Sequence, residues 1–192
     1  MKKDKVYVID TNIILQNVQN IETLSDNGSN IVVVPETVLL ELEDKKKLPN
    51  ELGYYSREFA RFLASTKIKE IDYKSNYKVV KLYKGNIVLH IISKDSYDTQ
   101  IEQHHISESN DKRIIEVAEV ARDYYKGQKV IFISIDIYAR TFALFKNIKT
   151  QTLNDDKSEV PDFSFVKSTP LESIYFNNLN LQNIKEIDDA YT

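Results

Sequence analysis

Cysteine is absent from the 192 residues, and that absence removes disulfides, thiolate zinc sites and Cys-nucleophile chemistry together. It suits a reducing, cytoplasmic setting. Long apolar runs are missing too. The charged start, Met1 to Lys5, is followed only by the short run Val6 to Ile9, far below the length of a secretory or membrane segment. Positive charge is not in excess: 26 Lys and Arg stand against 29 Asp and Glu, a formal charge of −3. The whole surface therefore does not advertise an anionic partner, and any such site must be local. The acidity is a weak objection to one, because carboxylates that hold cations make a sequence look more acidic than the loaded protein. Nor is there a GxxxxGK[ST] loop, an internal repeat or a low-complexity tract, so no ATP site is expected.

What is present is a run of short β-branched segments, each followed by a helical pattern, in a chain long enough for one well-packed core. Val6 to Ile9, Ile31 to Val34 and Lys129 to Ser134 read as buried strands, and Ile148 to Thr150 as a terminal one. Helices are expected from about Glu36 to Lys46, with Pro35 at its start, then Leu52 to Ser65, Asp111 to Tyr125 and Tyr138 to Lys146. Gly127 is placed to cap the third of these. Two strand-like runs around Lys84-Gly85-Asn86 predict an inserted β-hairpin over about 77–92, at the periphery. Residues 93–109 and 151–192 are polar and rich in Asn, Asp and Ser, which predicts loops, with 151–192 a partly docked or flexible extension of a 1–150 domain. The alternation predicts an α/β, three-layer α/β/α fold on a mostly parallel sheet of four to five strands. Function in such sheets collects at the carboxyl ends of the strands.

Asp10 and Asp136 each follow a predicted strand, so both carboxylates should emerge at that edge. Asp111, after Asn110, opens a helix whose N-terminus favours an anion. Glu41 and Glu43 border the two sides of one apolar helix face, and periodicity does not choose between them. Carboxylates brought together repel one another unless cations bind, and an all-oxygen set suits Mg²⁺ or Mn²⁺. Such ions neutralise a phosphodiester and stabilise attacking and leaving oxygens, which points to hydrolysis of a nucleic-acid backbone.

Four ordered segments, VYVIDTNIIL, VVVPETVLLELE, SNDKRIIEVA and IFISIDIYARTFA, resemble the motifs of PIN domains across about residues 5 to 150. The second motif, the long middle insertion and the LYKG stretch, Leu82 to Gly85, most resemble the N-terminal PIN domains of PhoH-like proteins. The resemblance implies a metal-dependent ribonuclease acting on single-stranded RNA, with the acidic set Asp10, Glu41, Asp111 and Asp136, and it selects Glu41 over Glu43. Thr11, Asn12, Asn110 and Ser134 then become candidates to orient those acids. Arg140 is placed to meet a phosphate or to hold Asp136. Lys45, Lys46, Lys47, Lys78, Lys81 and Lys84 are candidate phosphate contacts, with Tyr83 and Tyr138 available to stack on bases. A homo-oligomer is left open.

Bland alternatives stand beside each assignment. A single Asp after a strand is more often a turn former or helix cap than a metal ligand, and Asp111 sits in good helix-start chemistry. Glu41 alone reads as a solvated helix residue. The lysine run at 45–47 reads first as a solvated helix end. His104 and His105 lack the spacing of a helical metal pair, and His90, in an apolar strand, reads as structural. A catalytically silent binding or interaction module of the same fold is the main rival. A phospho-acceptor or phosphatase domain is a second, but it wants a partner Lys that does not stand out.

Overall fold

The computed structural model describes residues 4–73, 78–93 and 110–153. The chain parts into two units, Met1–Asp156 and Lys157–Thr192, and the description below concerns the first. The expected features at His104 and His105, and beyond Leu153, lie outside the described residues.

The strands are β1 (Lys5–Ile9), β2 (Ile31–Pro35), β3 (Lys67–Asp72), β4 (Val79–Lys84), β5 (Ile87–Ile92), β6 (Lys129–Ile133) and β7 (Lys149–Gln151). The α-helices are α1 (Thr11–Gln16), α2 (Asn20–Ser25), α3 (Glu36–Lys45), α4 (Glu51–Ala64), α5 (Asn110–Tyr124) and α6 (Ile137–Phe145). One sheet runs in the order β3-β4-β5-β2-β1-β6-β7. From β5 to β7 all neighbours are parallel, with Val6 opposite Ile31, Ile9 opposite Ile133 and Val34 opposite Ile91. Helices flank this sheet, and the central strands are mostly apolar because both of their faces are covered. β2 is buried at every position and β1 at all but its first.

Two expectations need correction. The sheet has seven strands rather than four to five, because the hairpin joins it and brings β3 along. Nor is the hairpin peripheral. β5 pairs in parallel with β2, next to the centre of the sheet, and its Leu89 is fully buried. A buried hydroxyl fixes that placement, since Ser25 Oγ at the end of α2 accepts the Val88 N–H at 3.1 Å. β4 then runs antiparallel to β5 through a turn in which Gly85 adopts φ +58°, a conformation that glycine enters without a Cβ penalty. β3 closes that edge as a charged, largely exposed strand with a bulge between Ile68 and Glu70. Charged side chains and bulges blunt an otherwise sticky edge.

A polar network ties this added half of the sheet to α5. The Tyr124 hydroxyl donates to Asp72 Oδ2 at 2.6 Å, and Lys81 bridges Asp72 at 3.3 Å and Glu70 at 3.0 Å. Beside it, His90 Nδ1 and the Tyr125 hydroxyl share a hydrogen bond of 2.6 Å, so His90 is structural, as its strand position implied. Burial, and then the bond to Asp72, push the Tyr124 phenol up to about 12 from its ordinary 10.0. A raised phenol favours folding fully below about pH 10 and loses that contribution as pH climbs towards about 12, because the unfolded chain ionises first. Tyr124→Phe should cost about 1–3 kcal/mol near neutral pH, by leaving Asp72 short of a donor. It should also shrink the loss of stability between pH 9 and 11. Urea denaturation at the two pH values checks both, and an unchanged alkaline loss would remove Tyr124 from the account.

Among the described residues, no helix is long and apolar enough to cross a membrane.

Candidate active site

The parallel strands β1 and β6 end level with each other, Ile9 beside Ile133, and the next residues form the carboxyl edge of the sheet. Asp10 follows β1 and its backbone N–H donates to the Ile133 carbonyl at 3.0 Å, so the ladder is carried one step past the strand. It occupies the N-cap position of α1 without a side-chain capping bond. Its carboxylate instead meets Ser134, whose hydroxyl donates to Asp10 Oδ2 at 2.8 Å, and more distantly Asn12 Nδ2 at 3.4 Å. Asp10 is 4% exposed. Burial raises its pKa above 3.8, the hydrogen bonds from Ser134 and the Thr11 N–H oppose the rise, and the charges of Asp111 and Glu41 add to it.

Ser134 is itself buried and accepts the Asp136 N–H at 3.0 Å. One hydroxyl thus links the acid after β1 to the loop after β6. Asp136 caps α6 by accepting the Tyr138 N–H at 2.7 Å, so the capping reading of that residue is realised here. Arg140 Nη1 donates to the Ser134 carbonyl at 2.8 Å, bracing the loop rather than pairing with Asp136. Across the edge, the buried Thr11 hydroxyl donates to Glu41 Oε2 at 2.6 Å. Of the two glutamates that periodicity left open, Glu41 is the one turned to this edge, whereas Glu43 is exposed and pairs with Lys46 at 2.8 Å. Asp111 is exposed in the first turn of α5, next to exposed Asn110.

The structure therefore brings Asp10, Thr11, Glu41, Asp111, Ser134 and Asp136 to one edge. Among the described residues, no three Asp, Glu or His side chains are drawn into a ready-made cage for a metal ion. The acids form a loose set in which Asp10 is the deep member. As donors they fit a hard divalent cation: all are carboxylates, and the deepest carries a repulsion that a cation would relieve.

The proposed phosphate and base contacts divide between the two edges of the sheet. The turn after β4 precedes β5, so Tyr83 and Lys84 lie at the amino edge, across the sheet from Asp10. Lys84 sits over the Phe62 ring at 4.8 Å, and Lys69 covers the Tyr83 ring at 4.8 Å. Lys81 is held by Glu70 and Asp72. Lys45 lies in the last turn of α3 and Lys46 pairs with Glu43, the solvated helix end already described. Lys78, whose carbonyl accepts the Ser93 N–H at 2.9 Å, and Tyr138 lie at the carboxyl edge, as does Arg140.

Sequence reasoning overlooked a further acid there. Glu36 follows β2 and accepts the Ser93 hydroxyl at 3.1 Å. It obeys the same rule of an acid directly after a buried strand.

Comparison with known proteins bears on the family of the chain. "Protein PhoH2" of Bacillus subtilis (strain 168) is 29% identical over 143 residues, covering 72% of this chain and 30% of that protein. "Protein PhoH2" of Thermobispora bispora is 29% identical over 138 residues, covering 71% and 29%. The chain thus spans under a third of the length of these relatives. Among solved structures, a domain of a functionally unknown protein from Methanocaldococcus jannaschii aligns with a TM-score of 0.49 at 21% identity, covering 78% of this chain and 90% of that one. VapBC2 from Rickettsia felis, bound to a DNA fragment from its promoter, aligns with a TM-score of 0.41 at 19% identity, covering 77% and 98%. The model of the PIN domain matches residues 7–154, most of the chain, and this chain belongs to the PIN domain family.

Proposed function

We propose that this chain is a divalent-metal-dependent ribonuclease that hydrolyses phosphodiester bonds of single-stranded RNA. PIN domains are a nuclease-type family, and the observation that carries the reading is Asp10. It is a buried carboxylate at the carboxyl edge, fixed by Ser134 and facing the charges of Asp111 and Glu41. A fold does not bury such a charge for stability, because desolvation and like-charge repulsion both oppose it.

Asp10, Asp111 and Asp136 would hold Mg²⁺ or Mn²⁺, with Asp10 approaching from the protein side. When bound, the cation supplies positive charge against the scissile phosphate and makes water a better nucleophile near neutral pH. Glu41, with one oxygen engaged by the Thr11 hydroxyl, would serve as a further ligand or as the base that orients the attacking water. Ser134 and Thr11 keep both carboxylates in place, and Arg140 keeps the loop that carries Asp136. The products would carry 3′-hydroxyl and 5′-phosphate ends. The cysteine-free composition suits the reducing cytoplasm, where such a substrate is found.

The test incubates the protein with end-labelled single-stranded RNA and with its duplex, in Mn²⁺, Mg²⁺ or EDTA, and maps the product ends. Cutting of the single strand that requires the metal and leaves 5′-phosphates is the expected result. Cleavage that persists in EDTA, or cyclic phosphate ends, would exclude the mechanism, and no cutting at all would favour the silent binding module.

A further inference from the structure

α6 is built the wrong way round for a helix that only stabilises a core. It buries two alanines, Ala139 and Ala143, against the sheet side, while Tyr138 is 73%, Phe142 44% and Phe145 79% exposed. The spacing i, i+4, i+7 puts these three aromatics on one stripe. The stripe starts beside Asp136 and runs down the helix towards a cleft of about 190 Å³ between α5 and α6, lined by Lys112, Ile115, Phe142, Phe145 and Lys146. α5 starts at the same edge, with Asp111 directly before Lys112. Both helices therefore lead away from the proposed acidic centre, with aromatic rings along the path and Lys112 and Lys146 in the lining of the cleft.

We infer that the α5–α6 face is a track for single-stranded nucleic acid, on which unpaired bases stack as the strand leaves the acidic edge. The inference rests on the reading of that edge as a phosphodiester site. Every base presents a π-face, so an aromatic stripe accepts any sequence, but a duplex keeps its bases stacked on each other and unavailable. From Tyr138 to Phe145 the helix rises about 10 Å, room for about three stacked nucleotides. Phosphate attraction contributes less here. Lys146 already serves Glu119 at 2.6 Å and lies 3.8 Å from Glu116, so the dependence on salt should be shallow. Continuity of the aromatic stripe with the acidic edge, where Tyr138 stands two residues after Asp136, favours this occupant over a second copy of the chain.

The experiment is fluorescence anisotropy in EDTA, so that no cleavage competes, with a labelled 12-nucleotide single-stranded RNA and the blunt duplex of the same sequence. The wild type should bind the single strand in preference to the duplex. Tyr138→Ala and Phe145→Ala should each weaken that binding roughly five- to a hundredfold, and Phe145→Tyr should retain it. Both residues are exposed, and melting curves confirm that the variants fold. Equal binding by the alanine variants, equal affinity for the duplex, no binding by the wild type, or a dimer that Phe145→Ala splits would each overturn the inference. The two readings separate cleanly. Stripe-dependent binding without cleavage under any metal leaves the track standing and removes the nuclease, whereas metal-dependent cleavage with binding unaffected by the stripe does the reverse.

Discussion

Replacing Asp10 by Asn is expected to lower RNA cleavage by about a thousandfold or more while leaving the metal-free protein at least as stable as the wild type. The loss follows from taking the deepest oxygen out of the proposed metal site, where a cation would supply several kcal/mol of transition-state stabilisation. The stability follows from the sign of the pKa shift. Burial raises the Asp10 carboxyl above 3.8, and the neighbouring acids add to that. A raised carboxyl binds its proton more tightly in the folded state, so its effect favours folding at acid pH and turns against it as pH rises through the folded value. Near neutrality the ionised group opposes folding, and Asn relieves it while its carbonyl still accepts the Ser134 hydroxyl. Thermal melts of both proteins in EDTA, alongside the cleavage rates, check the pair of outcomes. A variant that melts well below the wild type would mean that Asp10 serves the fold first.

Gly53→Ala should be the most damaging small substitution in the described fold, at about 3 kcal/mol or more. Gly53 lies in the first turn of α4, where the chain turns back from α3, and its N–H donates to the Asn50 cap at 3.3 Å. A Cβ there would stand 1.9 Å from the Leu48 carbonyl oxygen and 2.9 Å from Arg57 Nη1. That oxygen is backbone and cannot rotate aside. Displacing it also strains the contacts by which Arg57 joins the corner, to the Lys46 carbonyl at 2.7 Å and the Leu48 carbonyl at 3.1 Å. Since α3 carries Glu41, the same change should loosen the Thr11 contact and reduce cleavage in whatever protein remains folded. Urea denaturation measures the loss, and a variant within about 0.5 kcal/mol of wild type, the range of neutral surface changes, would contradict the packing described.

Much of this site is legible in the residues themselves. β1 and β6 are short β-branched runs that stop just before Asp10 and just before Ser134, and parallel pairing obliges both acids to emerge together. Glu41 is different. Its spacing is shared by Glu43, so periodicity leaves the two open; the resemblance to PIN domains selects Glu41, and the fold adds the Thr11 hydroxyl that holds it. The hairpin is visible in its turn residues, but its insertion beside β2 depends on nonlocal pairing that no local pattern encodes. β3 escapes because Ile68 and Ile71 stand three apart in a charged edge strand, without the alternation of a half-buried one. On α6, Tyr138, Phe142 and Phe145 share one helical period, yet the structure seats the alanines inside. A helix held close to the sheet needs small residues there.

The most direct test of the central claim is calorimetric titration of Mn²⁺ into the wild type, Asp10→Asn and Asp111→Asn. If the acids of the carboxyl edge gather on one divalent ion, the wild type shows a saturable site that both variants weaken at least tenfold. If all three bind Mn²⁺ alike, or none binds it, the carboxylates do not form a metal centre and the hydrolytic account fails.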